Sequence, residues 1–428
     1  MREIRYDSVG ETLYTEVLDN GLTLYVLQKP DFRQTYACFT TKYGSIDNDF
    51  VVPGQSAVRH VPDGIAHFLE HKMFEEEHGD IFLDFAKNGA QTNAFTTFDS
   101  TTYLFSSTDK VLDSLSILID FVQRPYFTDE NVEKEKGIIA QEIRMYEDNP
   151  FWQVFKGLLQ GMYGQHPLAT DIAGTVESIY QITKEDLYDC HRTFYHPGNM
   201  VLFVIGPMEP DVILEHVVAN QAAKGYQPQP PIVRGFPPVP KHPSQALRES
   251  RLAVSQPRTM FGFKETAVPV TGQLRQRHEA AMEIALDALL GRGAQLYYAL
   301  IDEDLADAGF GASYELTEYY GHTMMGGNSN HPEKLAERVK SALQDAAKNG
   351  LDPTDFERTK RKAIGRFLSL MDSPQGIANV YTQQMLRGID VLTTLDFLRV
   401  MTVQDVNQAL QSHVRNDQFA VSIVRPQS

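Results

Sequence analysis

Two patterns of apolar and polar residues recur along the chain. The strand-like runs are residues 22–26, 36–41 and 103–106. The first of them follows Asp19-Asn20-Gly21, a sequence typical of a hairpin turn. Residues 112–121 instead have helical spacing, which turns Leu115 and Leu118 toward the interior. Strands mixed with helices in this way predict an α+β fold, in which helices cover one face of a sheet.

The second half of the chain repeats part of the first. Thr183 begins a predicted helix that precedes the apolar run 201–205. Thr402 lies 219 residues later and begins another predicted helix, which precedes the run 419–424. The sequence therefore predicts two homologous domains.

A proline-rich segment separates the two halves. Residues 226–243 hold seven prolines among eighteen residues, which disfavours a helix or a central strand and favours a stiff extended linker. A chain of 428 residues is also too long for one ordinary core. We predict a first domain at 1–225, a linker at 226–247 and a second domain at 248–428.

The composition narrows the partners and the location. A formal net charge of -17 leaves no basic surface for phosphates, which argues against a nucleic-acid partner. No apolar run is long enough to cross a bilayer, and the N-terminus lacks the apolar core of a signal peptide. Two cysteines are too few for a disulfide framework. The sequence thus predicts a cytoplasmic protein without a membrane partner.

The candidate chemistry begins at His67-Phe68-Leu69-Glu70-His71. Residues 65–74 contain no helix breaker and follow an entry turn at 62–64, so they predict a helix. Four residues apart on a helix, His67 and His71 share one face, and Glu70 projects beside them. Two imidazoles beside a carboxylate suit a catalytic zinc ion, which needs a third protein ligand.

A second predicted helix offers that third ligand. Residues 128–147 open with a Thr-Asp cap signature and carry an apolar stripe. Glu142 lies within the stripe, where a carboxylate is costly to bury unless it is paired or binds a cation. Glu135 lies seven residues earlier, about two turns, on the same face. Most other charges of this helix are typical of a solvated face, and Glu142 is the candidate ligand.

The second half lacks these ligands. Segments 133–150 and 357–374 correspond at an offset of 224 residues, which places Arg366 opposite Glu142. The apolar stretch 280–290 lies where the metal-binding helix should recur, and it contains no histidine. We therefore expect the second copy to keep the scaffold without the metal site.

These motifs resemble the inverted-motif zinc peptidases of the pitrilysin or insulinase type. The order His-x-x-Glu-His, followed about seventy residues later by Glu, is similar to that family's motif. Further similar stretches are Asn93-Ala94-Phe95-Thr96 with Thr101-Thr102-Tyr103, then Glu135, and then His166-Pro167-Leu168. The resemblance is good from about residue 22 to residue 206, and it is nearest to small bacterial two-domain members that work as two chains.

The resemblance implies an activity and a role for each site residue. The implied residues are the zinc ligands His67, His71 and Glu142, the general base Glu70 and the supporting carboxylate Glu135. An extended peptide substrate would add to an edge strand at 91–97, where Asn93 and Ala94 are the candidate contacts, although the spacing alone fits an ordinary loop asparagine at Asn93 equally well. The two domains would form half of a clam-shell chamber. The implied protein is a zinc-dependent endopeptidase of peptides or short unstructured polypeptides.

One departure from the family pattern concerns the second domain. Active relatives complete the site with an arginine and, seven residues later, a tyrosine, but residues 293–310 present Ile301 and Ala308. Neither side chain can bind a carbonyl or an oxyanion. We therefore expect a heterodimer in which a homologous metal-free subunit supplies these groups. The local alternatives are Tyr314, Tyr319, Tyr320 and His322, although strand tyrosines are more often core or surface.

Two other functions are compatible with the sequence. A peptide-binding or scaffold subunit would keep the fold without activity, but the intact His67, Glu70, His71 and Glu142 argue against it. A zinc hydrolase of non-peptide amides would use the same metal site. Zinc content together with cleavage of an unstructured peptide separates the three functions.

Overall fold

The structure is a computed structural model that describes residues 1–427. The strands, β1 to β16 in chain order, are Arg2–Tyr6, Glu11–Val17, Thr23–Gln28, Thr35–Thr41, Asp49–Val51, Val58–His60, Glu75–Glu76, Gly79–Asp80, Gln91–Thr96, Thr101–Ser107, Met200–Gly206, Leu247–Leu252, Arg258–Phe263, Gly311–Leu316, Gly321–Asn328 and Phe419–Pro426. The α-helices, α1 to α15 in chain order, are Ile65–Met73, Ile81–Lys87, Val111–Gln123, Asp129–Glu147, Pro150–Tyr163, Val176–Ile179, Lys184–Phe194, Pro210–Lys224, Gly272–Leu290, Gln295–Asp302, Pro332–Asn349, Pro353–Met371, Pro374–Leu386, Thr394–Val400 and Val403–His413.

The chain divides into two compact units. Unit 1 comprises Met1–Ile143, Asp171–Phe236 and Leu370–Leu386, and unit 2 comprises Arg144–Thr170, Pro237–Ser369 and the chain from Arg387 onward. Each unit therefore includes a segment from the other half of the sequence. No pattern in the sequence predicted this exchange, and the domain boundaries at 1–225, 226–247 and 248–428 stay a prediction.

Unit 1 is built on a seven-stranded sheet in the order β1-β2-β3-β11-β4-β10-β9. Strand β11 runs parallel to β3, and the other neighbours are antiparallel. The strands predicted at 22–26, 36–41 and 103–106 lie in or overlap β3, β4 and β10. The predicted helix at 112–121 lies in α3, and its Leu115 and Leu118 are fully buried. Strand β9 forms an edge of the sheet, as the family resemblance implies.

The two faces of this sheet have different cover. Alternating residues such as Ala37 and Phe39 join the core that includes Phe68 and Leu69 of α1. Helix α13 packs against β4 and β11, where Tyr381 contacts the rings of Tyr25 and Phe203. The prediction of helices on one face is therefore incomplete, because a helix from the second half of the sequence also packs on the sheet.

Unit 2 repeats this design around a five-stranded sheet in the order β12-β16-β13-β15-β14. Strand β16 runs parallel to β12, and the other pairs are antiparallel. Helix α5 lies on β16 and β13 at close range, since a Cβ on Gly157 would stand 2.3 Å from Oγ of Ser422. A larger residue at 157 would have to displace the hydroxyl of Ser422.

The repeat predicted from the sequence is confirmed by matching elements. Thr183 and Thr402 each form a capping box at the start of α7 and α15. Those helices precede β11 and β16, which occupy equivalent places in the two sheets. The two sheets and their covering helices confirm the predicted α+β class.

The proline-rich segment begins as part of unit 1. Its residues 233 and 235 form backbone hydrogen bonds with Val51 and Asp49 of β5. Arg234 forms an ion pair with the buried Asp47, with Nε and Oδ1 2.8 Å apart. The chain passes into unit 2 after Phe236.

Candidate metal centre

Helix α1 forms where the sequence predicts it. Gly64 precedes it with a φ of +88°, and a Cβ there would stand 2.4 Å from the backbone oxygen of Ala173. Glycine is therefore the residue that allows this helix entry. Phe68, Leu69 and Met73 are buried in the core. This burial fixes the rotation of the helix and sets the opposite positions for the site.

Helix α4 supplies the second side of the site. Its Val132, Ile139 and Ile143 are buried in the core of unit 1. Glu142 stands next to this apolar stripe, and its side chain is 24% exposed. Packing of the stripe therefore directs Glu142 toward α1.

The three predicted ligands converge. Nε2 of His67 lies 3.7 Å from Oε1 of Glu142, and Nε2 of His71 lies 3.6 Å from Oε2 of the same carboxylate. One ligand atom from each residue falls within 4.8 Å of the others. Tetrahedral ligands at about 2.1 Å from zinc lie about 3.4 Å from one another. The separations are too long for good hydrogen bonds and fit a shared metal ion.

A carboxylate supports one of the two histidines. Nδ1 of His71 lies 3.1 Å from Oε1 of Glu135. The carboxylate accepts a hydrogen bond from Nδ1–H, so Nε2 keeps its lone pair for a metal. Nδ1 of His67 is buried and has no hydrogen-bond partner among residues 1–427. Within the described chain, therefore, Glu135 orients His71, whereas no residue does the same for His67.

Glu70 stands beside the ligands without joining them. Its side chain is buried, and Oγ1 of Thr96 donates a 2.6 Å hydrogen bond to Oε2 of Glu70. Thr96 is the last residue of β9, so this bond ties the acid to the edge strand. Glu70 is thus held next to the open edge of the sheet.

Burial and charge act differently on the three titratable groups of α1. Burial, assisted by neighbouring His71, lowers the pKa of His67 to about 3. Burial also raises the pKa of Glu70, against the opposing hydrogen bond from Thr96. Burial lowers the pKa of His71, but the Glu135 hydrogen bond and the charge of Glu70 outweigh it and leave the pKa raised. The negative surroundings of His71 therefore favour positive charge, which a divalent cation would also supply.

The predicted substrate contacts lie on β9. Asn93 and Ala94 pair with Leu104 and Tyr103 of β10. The amide of Ala94 donates to Oδ1 of its neighbour Asn93, at 2.9 Å. Because this hydrogen bond is local, the amide of Ala94 can exchange it for a hydrogen bond to the backbone of an added strand.

The corresponding region of unit 2 has a different chemistry. Arg366, which aligns with Glu142, lies 3.6 Å from Oδ1 of Asp287, and Lys362 lies 2.7 Å from the same oxygen. His67, His71 and Glu142 form the one candidate metal group among the described residues. An ion-pair cluster thus stands where a second metal site would be.

The suggested local substitutes for the missing arginine and tyrosine have partners inside unit 2. Tyr314 is buried and donates to Glu265 at 2.6 Å. His322 is buried and bonds the hydroxyl of Tyr163 at 2.8 Å. Tyr320 donates to Glu315 at 2.8 Å. These contacts indicate structural roles for the three side chains.

Two site residues received no role from the sequence. Thr96 belongs to the stretch 93–96 that resembles the family's edge strand, and Lys72 follows His71 directly. A lysine four residues after the buried Phe68 was the signal, because it puts a charge on the buried side of the helix. The Lys72 side chain is in fact fully buried.

The described residues contain no helix that is long and apolar enough to span a membrane.

The fold and the site together define a two-unit α+β protein with a candidate centre of two histidines and a glutamate. A family model described as Insulinase (Peptidase family M16) matches residues 60–176. A second, described as Peptidase M16 inactive domain, matches residues 181–363.

Individual relatives cover all or almost all of the chain. The chain is 44% identical to the "Uncharacterized zinc protease YmfH" of Bacillus subtilis (strain 168), over 100% of both chains. A solved structure from Alicyclobacillus acidocaldarius, described as M16-like, matches with 43% identity and a TM-score of 0.93, covering 97% and 99%. A Helicobacter pylori protease shares the fold at 18% identity and a TM-score of 0.81, covering 97% of this chain and 99% of that chain. The chain belongs to peptidase family M16, the pitrilysin and insulinase family.

Proposed function

We propose that this protein is a zinc-dependent endopeptidase that cleaves peptides or short unstructured polypeptides. The observation that carries the proposal is the convergence of His67, His71 and Glu142 at metal-like separations, with Glu70 beside them. The relative that matches over its full length is named a zinc protease, which supports the same function.

The residues present fit a zinc ion. His67, His71 and Glu142 would hold it and would leave a fourth position open, the arrangement of a catalytic site. When bound, zinc would lower the pKa of a water molecule and polarise a peptide carbonyl. Glu135 would keep the ring of His71 oriented through its Nδ1 hydrogen bond.

Glu70 is the proposed general base. It would take a proton from the attacking water and return that proton to the leaving amine. Thr96 holds one oxygen of Glu70 by a 2.6 Å hydrogen bond. The other oxygen is then the one that would move the proton.

Strand β9 is the proposed binding site for the peptide backbone. It is an edge strand of the seven-stranded sheet, and Asn93 and Ala94 lie in the middle of the strand. A substrate added there would pair by main-chain hydrogen bonds with little sequence preference. Thr96, at the end of this strand, would hold Glu70 at a fixed distance from the bound peptide through its hydrogen bond.

We also propose that the active form is a heterodimer with a homologous metal-free subunit. Ile301 and Ala308 carry no polar side-chain group, and the buried Tyr314 and His322 are committed to partners in unit 2. A second chain would supply the groups that grip the carbonyl and stabilise the oxyanion. A cytoplasmic location likewise stays a prediction.

The test combines metal content with peptide cleavage. The purified chain, alone and mixed with a homologous metal-free subunit, is assayed on an unstructured fluorogenic peptide, with Glu70→Gln as the inactive control. Zinc binding with Glu70-dependent cleavage supports the endopeptidase. Zinc binding without cleavage in either preparation would instead favour a scaffold subunit or a hydrolase of another amide.

A further inference from the structure

Lys72 is a fully buried cation next to a metal ligand. Its side chain is 0% exposed, and it follows His71 in helix α1. Removing an ammonium group from water is costly unless nearby anions compensate for the lost hydration. An apolar side chain of similar length would fill the same space without that cost, so packing alone does not explain a lysine here.

Two carboxylates surround the ammonium group. Nζ of Lys72 bonds the carboxylate of Glu75, one turn later. The same Nζ lies 3.9 Å from Oε2 of Glu135. The side chain of Glu135 is only 10% exposed, so water screens this attraction weakly.

The two oxygens of Glu135 face different partners. Oε1 accepts from Nδ1 of His71, and Oε2 lies on the side of Lys72. An attraction at Oε2 limits rotation of the carboxylate and keeps Oε1 aimed at the imidazole. The chain of contacts runs from Lys72 through Glu135 to His71, whose Nε2 faces Glu142.

Lys136 shows what a similar lysine does without this connection. Its side chain is 7% exposed and forms an i,i+3 pair with Glu133, as Lys72 does with Glu75. Glu133 is 66% exposed and contacts none of the candidate ligands in the described ion pairs. Lys136 therefore matches Lys72 in burial and pairing and differs in its reach to the site.

We propose that Lys72 is a positioning residue that tightens zinc binding by fixing Glu135 against His71. The inference rests on the proposed zinc site. It concerns metal affinity, which can be measured without peptide cleavage. Supporting residues around a metal site commonly change its affinity by about 10- to 100-fold when they are replaced.

The test measures zinc dissociation constants by competition with a chromophoric chelator. Lys72→Met should weaken zinc binding by about 10- to 100-fold, because Glu135 loses its second anchor. Lys136→Met is the matched control and should change the constant by less than about twofold, because its partner Glu133 contacts none of the candidate ligands in the described ion pairs. Lys72→Gln, which keeps polarity without charge, should behave like Lys72→Met and provides the measurement if the methionine variant does not fold.

A double-variant cycle shows whether the effect passes through Glu135. In a Glu135→Gln background, Lys72→Met should change zinc affinity by less than about twofold, because the route is already broken. The inference would be overturned if the wild type and Lys72→Met bound zinc with equal affinity. It would also be overturned if Lys72→Met weakened zinc binding equally in the wild-type and the Glu135→Gln backgrounds. A wild-type chain that binds no zinc would instead overturn the proposed function.

Discussion

The hydroxyl of Thr96 donates a 2.6 Å hydrogen bond to the carboxylate of Glu70. This bond joins the edge strand β9 to the metal-binding helix α1. Thr96 Oγ1 also lies 3.4 Å from Oγ1 of Thr101 on the neighbouring strand. The proposed proton carrier is therefore fixed by the same strand that is proposed to hold the peptide.

Replacing Thr96 by valine should slow catalysis without changing binding. A hydrogen bond to a charged group is worth about 1.5–3 kcal/mol, so kcat should fall by about tenfold or more. KM and zinc content should stay close to those of the wild type, because Thr96 is none of the proposed zinc ligands and β9 would bind the peptide through its main chain. Thr96→Ser keeps the hydroxyl and should retain most of the activity. Equal kcat values for the valine variant and the wild type would show that Glu70 needs no such support.

Replacing Glu70 by glutamine should separate chemistry from metal binding. The amide keeps the size of the side chain but cannot accept the proton, so turnover should fall by roughly a hundredfold or more. Zinc content should be unchanged, because Glu70 is assigned as base and not as ligand. Loss of zinc with only a mild loss of turnover would exchange the roles of Glu70 and Glu142.

The ion pair between Arg234 and Asp47 should control stability in a pH-dependent way. Burial raises the pKa of Asp47 to about 6, against the opposing charge of Arg234. The pKa of Asp47 is therefore higher in the folded than in the unfolded protein. Protonated Asp47 stabilises the folded state, fully so below the ordinary pKa of an aspartate, and this contribution is lost as the pH rises through about 6. In Arg234→Met the pKa of Asp47 should rise further, because the opposing charge is gone. The loss in the free energy of unfolding relative to the wild type should therefore grow with pH and reach about 3 kcal/mol at pH 8.

Urea unfolding at pH 5 and pH 8 measures this difference. Arg192→Met removes a more exposed arginine, 53% accessible, that pairs with Asp189, and it should cost less than about 1 kcal/mol. The same loss for Arg234→Met at both pH values would show that Asp47 is not the group responsible.

The isolated chain should cleave peptides poorly although it binds zinc. The missing groups that grip the carbonyl commonly contribute on the order of a hundredfold in rate, so a homologous metal-free subunit should raise kcat/KM by about that factor. Light scattering identifies the species present in each assay. Full activity of a preparation that contains only the monomer would refute the heterodimer and would mean that groups within this chain bind the carbonyl.

Local patterns in the sequence predicted much of the fold and the centre of the site. Helix α1 and its histidines follow from i,i+4 spacing, and Glu142 follows from a carboxylate beside an apolar stripe. The caps at Thr183 and Thr402 predicted two related halves, because a capping box depends on residues three apart. These features all depend on neighbours along the chain.

The remaining features depend on packing between distant segments. The placement of α13 with unit 1 and α5 with unit 2 depends on which apolar faces meet, and no local pattern records that. The bond from Thr96 to Glu70 joins residues 26 positions apart, and the contact from Lys72 to Glu135 spans two helices. Sequence periodicity places each residue on a face, whereas tertiary packing decides its partner.

Zinc content tests the central claim most directly. After dialysis against metal-free buffer, the wild-type chain should hold about one zinc per chain, because two imidazoles and a carboxylate converge on one position. His71→Ala should hold almost none, and a retained circular dichroism spectrum would show that the chain is still folded. Full zinc occupancy in folded His71→Ala would contradict the assignment of the centre.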